Sequence, residues 1–374
     1  MVTFYKPEQT FLSGSKTLAR EYYISPEIFA AETERIFTQR WFCAGHVSRI
    51  PNTGDYFLLD AYEENIIILR DQAGEVRAFY NVCRHRGTRV CEEAEGRLSK
   101  SIQCPYHAWT YGLDGKLIGT PLMKDVQDFN KDEYPLHTVH LHVWQGLIFL
   151  NLAGSPEPFE QSFAPLVEKF KHWRGWDLSK LMSERRVRYD LKANWKLVFQ
   201  NYNECYHCAP LHPQLAKISP PTSGENDFNE GSVLGGFMLI TDAESLTVSG
   251  RVCAIPVGDI PPEDHQRVYY YSIAPNMLLS LHPDYVMFHT IWARSPGDTV
   301  IFCEWLFHPE AFGRADFHPD DGIEFWDQTN RQDWHICELA QLGISSRAYR
   351  PGPYSPRESL PAAFDRDYLK QMGR

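Results

Sequence analysis

No dense run of basic residues offsets the acidic balance of this 374-residue sequence, in which 37 Lys and Arg face 48 Asp and Glu for a formal net charge of −11. A surface of that sign repels phosphate backbones and argues against nucleic acid as a partner. The first residues lack the basic head and apolar core of a secretion signal. The most apolar stretch, Gln145 to Leu152, is far too short to span a bilayer. The expectation is a soluble, cytoplasmic protein with no membrane partner. A Gly-x-Gly-x-x-Gly fingerprint is missing, and Gly14-Ser15-Lys16-Thr17 lacks the glycine directly before lysine that a phosphate loop needs, so no nucleotide site is expected. Internal repeats and low-complexity segments are also missing. Cysteine is present nine times, an odd count that suits metal-bound and buried thiols in a reducing compartment better than a disulfide framework.

What is present is a globular chain of 43% apolar residues, long enough for one large or two ordinary domains. Residues 26–41 repeat apolar positions at three- and four-residue intervals, so residues 1–41 read as an N-terminal helical segment that packs on a later domain. Residues 42–154 switch to short alternating or apolar runs between Gly, Asp and Asn turns and read as a small all-β domain, with an Asp114-Gly115 hairpin. Residues 155–374 open at Pro156 and Pro158 with helical segments near 159–173 and 192–208. A strand-rich region follows near 234–308, and a last helix is announced by the capping-box pattern Asp321-x-x-Glu324. The fold class is therefore α+β: a small all-β domain plus an α+β domain with a central antiparallel sheet flanked by helices.

Two clusters carry the chemistry. Cys83-Arg84-His85 and Cys104-Pro105-Tyr106-His107 pair one thiol with one imidazole twice, with eighteen residues between His85 and Cys104, so two loops must converge. A 2Fe-2S centre with Cys on one iron and His on the other uses that ligand set. The alternatives are a structural zinc site, which usually pairs Cys with Cys and His with His, and unliganded core thiols.

The second cluster runs from Asn194 to His212. Helical periodicity would align Asn201, Glu204, His207 and Cys208 on one face. His212, five residues past His207, would swing about 140° away on an unbroken helix, but Pro210 interrupts it. Two His and a carboxylate on iron(II) leave open positions for dioxygen. The third ligand is either Glu204 or a distant carboxylate. Asp333 is a candidate because it shares an apolar helical face with Ile336, Cys337 and Ala340, where an unpaired carboxylate is costly. Its bland reading is a surface Asp paired with Arg331 or Arg347, and that of His207 and His212 is structural histidines with satisfied hydrogen bonds.

On these motifs the sequence resembles the large subunit of Rieske-type non-haem iron oxygenases over most of its length. The resemblance implies a Rieske domain over 42–154, with the 2Fe-2S cluster held by Cys83, His85, Cys104 and His107. It implies a catalytic domain over 155–374 with mononuclear Fe(II) on His207, His212 and Asp333, Glu204 as the bridging carboxylate for electron transfer, and Asn201 as a polar neighbour of the iron. Dioxygen as cosubstrate, NAD(P)H acting through a separate flavin/iron-sulfur reductase, and a head-to-tail homotrimer are implied as well. The bridging position is usually Asp in aromatic-ring dioxygenases of the family. Glu204, within Asn203-Glu204-Cys205-Tyr206-His207-Cys208, resembles instead the branch acting on choline, carnitine, glycine betaine and proline betaine.

The expected function is thus the oxygenase component of a monooxygenase that hydroxylates a small quaternary ammonium or betaine-like molecule, with N-demethylation or C–N cleavage as the outcome. Aromatic faces suit such a cation, and Tyr269, Tyr270, Tyr271, Tyr285 and Phe288 are candidates, most of them core strand residues by default. The alternatives are aromatic-ring hydroxylation or O-demethylation, and a Rieske electron carrier fused to a binding module. Cys205 and Cys208 form a C-x-x-C pair that reads as reduced packing thiols, with a redox disulfide as the alternative, and His140 and His142 read as one face of a strand.

Overall fold

The computed structural model describes residues 14–173 and 175–374. The first thirteen residues, part of the segment 1–41, lie outside the described residues. The chain forms two compact units, one of Thr38–Pro156 and one that joins the residues up to Phe37 to Glu157–Arg374.

In the unit Thr38–Pro156, the strands Val76–Tyr80, Glu64–Arg70, Asp55–Ala61 and Glu95–Arg97 form, in that order, a four-stranded antiparallel sheet. Ile66, Ile67, Ile68 and Leu69 are all fully buried at its centre, where branched side chains fill the pleat. Phe42–His46, Leu147–Asn151 and His140–Trp144 form one three-stranded sheet, and Ser101–Gln103, Thr110–Gly112 and Leu117–Gly119 another. The turn of the expected hairpin contains Gly115 at φ +83°, and a β-carbon there would run into the Phe79 ring. Cys83 and Cys104 belong to the same apolar cluster as Ile67, Phe79, Trp109 and Tyr111.

The second unit is built on a seven-stranded antiparallel sheet in the order Met182–Leu191, Asp298–Phe307, Val286–Ser295, Met277–Leu281, Arg267–Ile273, Val233–Leu239 and Glu225–Phe228. Helices accompany it, so the content of the chain is α+β, as expected.

Besides the segment near 192–208, helix boundaries differ from the expectation in three places. The helix expected over 26–41 is α-helical only for Pro26–Glu32, capped by Ser25, and gives way to a π turn at Thr33–Phe37 that buries Ile36 and Phe37. The segment near 159–173 is two helices, Phe159–Ser162 and Ala164–His172, separated where Phe163 leaves helical geometry. The last long helix is Pro319–Ile344, and it starts before the expected capping box. Asp321 lies inside its first turn and accepts instead from the N–H and hydroxyl of Ser249 (3.0 and 2.5 Å), a tertiary contact that local spacing cannot reveal.

Glu32, at the end of its helix, is 1% exposed and ties three elements together. It accepts from Lys196 Nζ (2.5 Å), Trp195 Nε1 (2.9 Å) and the Tyr368 hydroxyl (2.6 Å). A buried carboxylate that meets an ammonium and two further donors has its desolvation offset by charge-assisted bonds. This network holds the helix Trp195–Tyr202 against the helix Ser359–Gln371.

Candidate active site

The helix Trp195–Tyr202 begins at Asn194, whose Oδ1 accepts the Lys196 N–H at 3.0 Å. The Asn194 N–H donates to Gln341 of the long helix (2.9 Å), and the far end is fixed by the Ser272 hydroxyl donating to Asn203 Oδ1 (2.8 Å).

The helix expected to run to about residue 208 stops at Tyr202. Glu204 turns its carboxylate back so that Oε2 accepts the N–H groups of Tyr206 and His207, and this local bonding competes with the helical ladder. The chain resumes a helix at Cys208–Leu211, with Pro210 inside it. Pro210 is not the break, because the first turn of a helix needs no donor there. The second break falls at His212 (φ −123°, ψ 64°), which precedes Pro213 and is thereby disfavoured from helical geometry.

These breaks aim His207 and His212 at one carboxylate from the long helix. Asp333 Oδ1 lies 3.2 Å from His207 Nε2 and 2.8 Å from His212 Nε2, and it accepts from Asn201 Nδ2 at 3.2 Å. One ligand atom from each of His207, His212 and Asp333 lies within 4.8 Å of the others. Arg331, one of the two arginines considered as a partner of Asp333, bonds Asp327 instead (2.9 Å).

The outer nitrogens are also engaged. His207 Nδ1 is 2.5 Å from Glu204 Oε1, and His212 Nδ1 is 2.7 Å from Gln332 Oε1. Each ring therefore donates Nδ1–H to a side-chain oxygen and turns Nε2 inward, the arrangement of metal-binding histidines. Burial would depress the His207 pKa, but Asp333 and Glu204 outweigh it and raise it to about 10. Burial would raise that of Asp333, and the two imidazoles pull it below the usual carboxylate range instead. The pocket demands a positive charge among these groups, and a divalent ion fits the donor set.

A cavity of about 70 Å³ opens on these side chains. Beyond Asn201, Glu204 and the three donors, its walls are Tyr202, Cys205, Cys208, Leu215, Met238, Tyr270, Trp326 and Thr329. The rings of Tyr202 and Trp326 stand 6.2 and 6.1 Å from that of Tyr270. Strand alternation explains why Tyr270, and neither Tyr269 nor Tyr271, reaches the cavity. Tyr269 and Tyr271 face the other way and donate to Asp264 and Asp227, both at 2.6 Å, while Tyr285 and Phe288 are fully buried.

In the other unit, the two Cys/His loops are built alike. Four residues after each cysteine the backbone takes positive φ, at Gly87 (75°) and Ala108 (55°), and its N–H returns to the cysteine carbonyl (3.0 and 3.1 Å). Cys83 and Cys104 are each 2% exposed. Tyr111 OH sits 3.4 Å from Cys83 Sγ, and the backbone N–H groups of Tyr106 and His107 face the Cys104 sulfur. The His85 and His107 rings lie 4.7 Å apart at the outer edge, with His85 stacked on Trp109 (4.8 Å). Buried sulfurs with N–H donors, and imidazoles nearer solvent, fit the two-thiolate, two-imidazole donor set that would hold a 2Fe-2S cluster.

A family model described as the ring hydroxylating alpha subunit (catalytic domain) matches residues 178–374, and one described as the Rieske 2Fe-2S domain matches residues 40–130. The chain belongs to the Rieske ring-hydroxylating alpha-subunit family. As a Rieske oxygenase it is an oxidoreductase that uses a 2Fe-2S cluster, a mononuclear iron and dioxygen. It is 30% identical to the glycine betaine monooxygenase oxygenase subunit of Pseudomonas aeruginosa over 91% of this chain and 85% of that one. Its identity with the carnitine monooxygenase oxygenase subunit of Escherichia coli is 34%, over 53% of this chain and 52% of that one. Among solved structures, the quaternary ammonium Rieske monooxygenase CntA with γ-butyrobetaine superposes with a TM-score of 0.79 at 25% identity, covering 96% of both chains. Naphthalene 1,2-dioxygenase from Rhodococcus sp. has the same fold (TM-score 0.79, 21% identity, 96% and 95% covered).

The structure gathers Asn201, Glu204, His207, His212 and Asp333 at one cavity, and Cys83, His85, Cys104 and His107 at two facing loops. It corrects the reading of Cys205 and Cys208 as reduced thiols. They are joined in a disulfide, because the chain leaves the helix between Tyr202 and Cys208 and closes a turn that brings their Cα atoms to 4.9 Å. Tyr202, Trp326, Met238 and Thr329 were not identified from the sequence, and Gln332 was marked there only by its place beside Asp333. No described helix is long and apolar enough to cross a membrane.

Proposed function

We propose that this Rieske oxygenase hydroxylates a quaternary ammonium compound. Cys83, His85, Cys104 and His107 hold the cluster, and His207, His212 and Asp333 hold the iron. When bound, these groups supply single electrons and the activation of dioxygen toward a C–H bond. The chain's own residues do the positioning. Gln332 and Glu204 set the tautomers and ring planes of His212 and His207, and Asn201 orients Asp333. Glu204 also links His207 to a cluster histidine of a neighbouring subunit in a head-to-tail trimer, and a separate reductase delivers electrons from NAD(P)H.

The observation that carries the substrate reading is the cavity itself, where Tyr202, Tyr270 and Trp326 stand around the space in front of the metal donors. A trimethylammonium group has no N–H to donate, so aromatic faces are its natural partners, each contributing about 0.5–2 kcal/mol. The relatives named for glycine betaine and carnitine point to the same class. Hydroxylation of an N-methyl group gives a carbinolamine that collapses to formaldehyde and the demethylated amine. Oxidation of the neighbouring carbon cleaves the C–N bond instead.

Reductase-coupled oxygen uptake with formaldehyde detection tests this across choline, glycine betaine, carnitine and a panel of aromatic acids. Uptake and formaldehyde with a quaternary amine support the reading. Turnover confined to the aromatic acids replaces it with ring hydroxylation or O-demethylation.

A further inference from the structure

The disulfide Cys205–Cys208 encloses Tyr206 and His207 in a four-residue ring. Both N–H groups that hold Glu204 Oε2 belong to those two enclosed residues, and the imidazole that meets Glu204 Oε1 is that of His207. The ring is closed a second time by the Cys208 N–H donating to the Cys205 carbonyl at 3.2 Å. The cystine packs against Met238 and Tyr270 in a small apolar cluster, and all four residues line the cavity. The cystine thus borders the cavity side by side with the turn residues Glu204 and His207.

We propose that the Cys205–Cys208 disulfide is a positioning element that holds Glu204 and His207 in register, so that its reduction loosens the Glu204–His207 contact and slows electron delivery to the iron. The electron-delivery part rests on the bridging role proposed above, whereas the clamp itself does not. Backbone N–H groups inside a four-residue cystine ring have little freedom, and a carboxylate they hold inherits that restriction. With the Sγ–Sγ bond broken, the turn loses its covalent closure and keeps the Cys208 N–H bond, the N–H bonds of Tyr206 and His207 to Glu204, and packing. A phosphine reductant balances the step: the disulfide takes two electrons, water supplies two protons to the thiols and its oxygen to the phosphine oxide.

The test uses the full-length holoenzyme. Alkylation in denaturant without reductant, followed by peptide mapping, is expected to leave Cys205 and Cys208 linked; recovery of both as alkylated thiols overturns the proposal. Cys205→Ser, Cys208→Ser and phosphine-reduced wild type are expected to keep full cluster content. Each should broaden the electron paramagnetic resonance spectrum of the ferrous-nitrosyl site and slow single-turnover reoxidation of the cluster about ten-fold. If the serine variants do not take up iron, the phosphine-reduced enzyme carries the same comparison.

Adding Cys205→Ser to Glu204→Gln should slow transfer no further than Glu204→Gln alone, because both act through one contact. An unchanged nitrosyl spectrum, or multiplicative slowing in the double variant, overturns the proposal. If the parent enzyme passes no electrons from cluster to iron, the bridging reading fails, while the linked peptide and the nitrosyl spectrum still decide the clamp.

Discussion

Glu204 Oε1 lies 2.5 Å from Nδ1 of His207, three residues ahead in the same chain, while its other oxygen accepts the N–H groups of Tyr206 and His207. The carboxylate is thus committed to the imidazole of a candidate iron donor before any partner subunit is considered. Glu204→Gln keeps the shape and removes the charge. It is expected to retain both metals and to slow cluster-to-iron electron transfer about 10- to 100-fold, read by stopped-flow bleaching of the cluster and metal analysis. Normal turnover in this variant would refute the bridging role.

Gln332 provides a separate handle on the other imidazole. Gln332→Ala removes the acceptor of His212 Nδ1 and frees the ring to turn. Iron affinity should fall about 10- to 100-fold, with the visible spectrum of the cluster unaltered. Iron titration of the apoenzyme measures this, and unchanged affinity would remove Gln332 from the site.

The aromatic wall predicts a graded loss of binding. Trp326→Ala and Tyr270→Ala should each raise KM for a quaternary ammonium substrate about 2- to 30-fold, the equivalent of one cation–π contact. Trp326→Phe should lose less. Steady-state kinetics with choline and with its uncharged isostere 3,3-dimethylbutanol separates charge recognition from size, and an equal loss of affinity for both would exclude a cation contact.

Stability depends on the buried pair Glu32 and Lys196. Lys196→Met leaves a buried carboxylate with only Trp195 and Tyr368 as donors. It should cost about 3–5 kcal/mol in denaturant unfolding. The double variant Glu32→Gln with Lys196→Met should recover much of that loss, since no unpaired charge remains buried.

Asp365 gives a pH dependence of defined sign. Burial raises its pKa to about 7, against the bonds it accepts from Gln200 Nε2 and the Tyr354 hydroxyl, both 2.7 Å. A carboxyl whose folded pKa lies above its unfolded value stabilises the fold while protonated. That contribution is full below about pH 4 and is lost as pH rises to about 7. Asp365→Asn should flatten this part of the curve of Tm against pH, and an unaltered slope would exclude Asp365 as its source.

The candidate donors were legible in the sequence because metal chemistry restricts residue type and spacing. Cys83-x-His85, Cys104-x-x-His107 and Glu204-x-x-His207 each place their groups within one turn or loop, where local geometry decides proximity. Asp333 was visible only as an acid on an apolar helical stripe. Its pairing with His212, 121 residues away, depends on how two helices meet. The helix ends were misplaced for the same reason. Glu204 folding back on Tyr206 and His207, and Asp321 reaching Ser249, are contacts that override local propensity.

The sequence by itself determined which atoms can bind metal and that the chain alternates a β-rich region with an α+β one. Ligand chemistry and side-chain periodicity are properties of short stretches. Tertiary structure alone decided that Gln332 orients His212, that Tyr270 rather than Tyr269 or Tyr271 faces the cavity beside Tyr202 and Trp326, and that Cys205 and Cys208 are bonded. Each of these rests on the direction of a side chain, and that direction is set by strand facing, helix breaks and partners far along the chain.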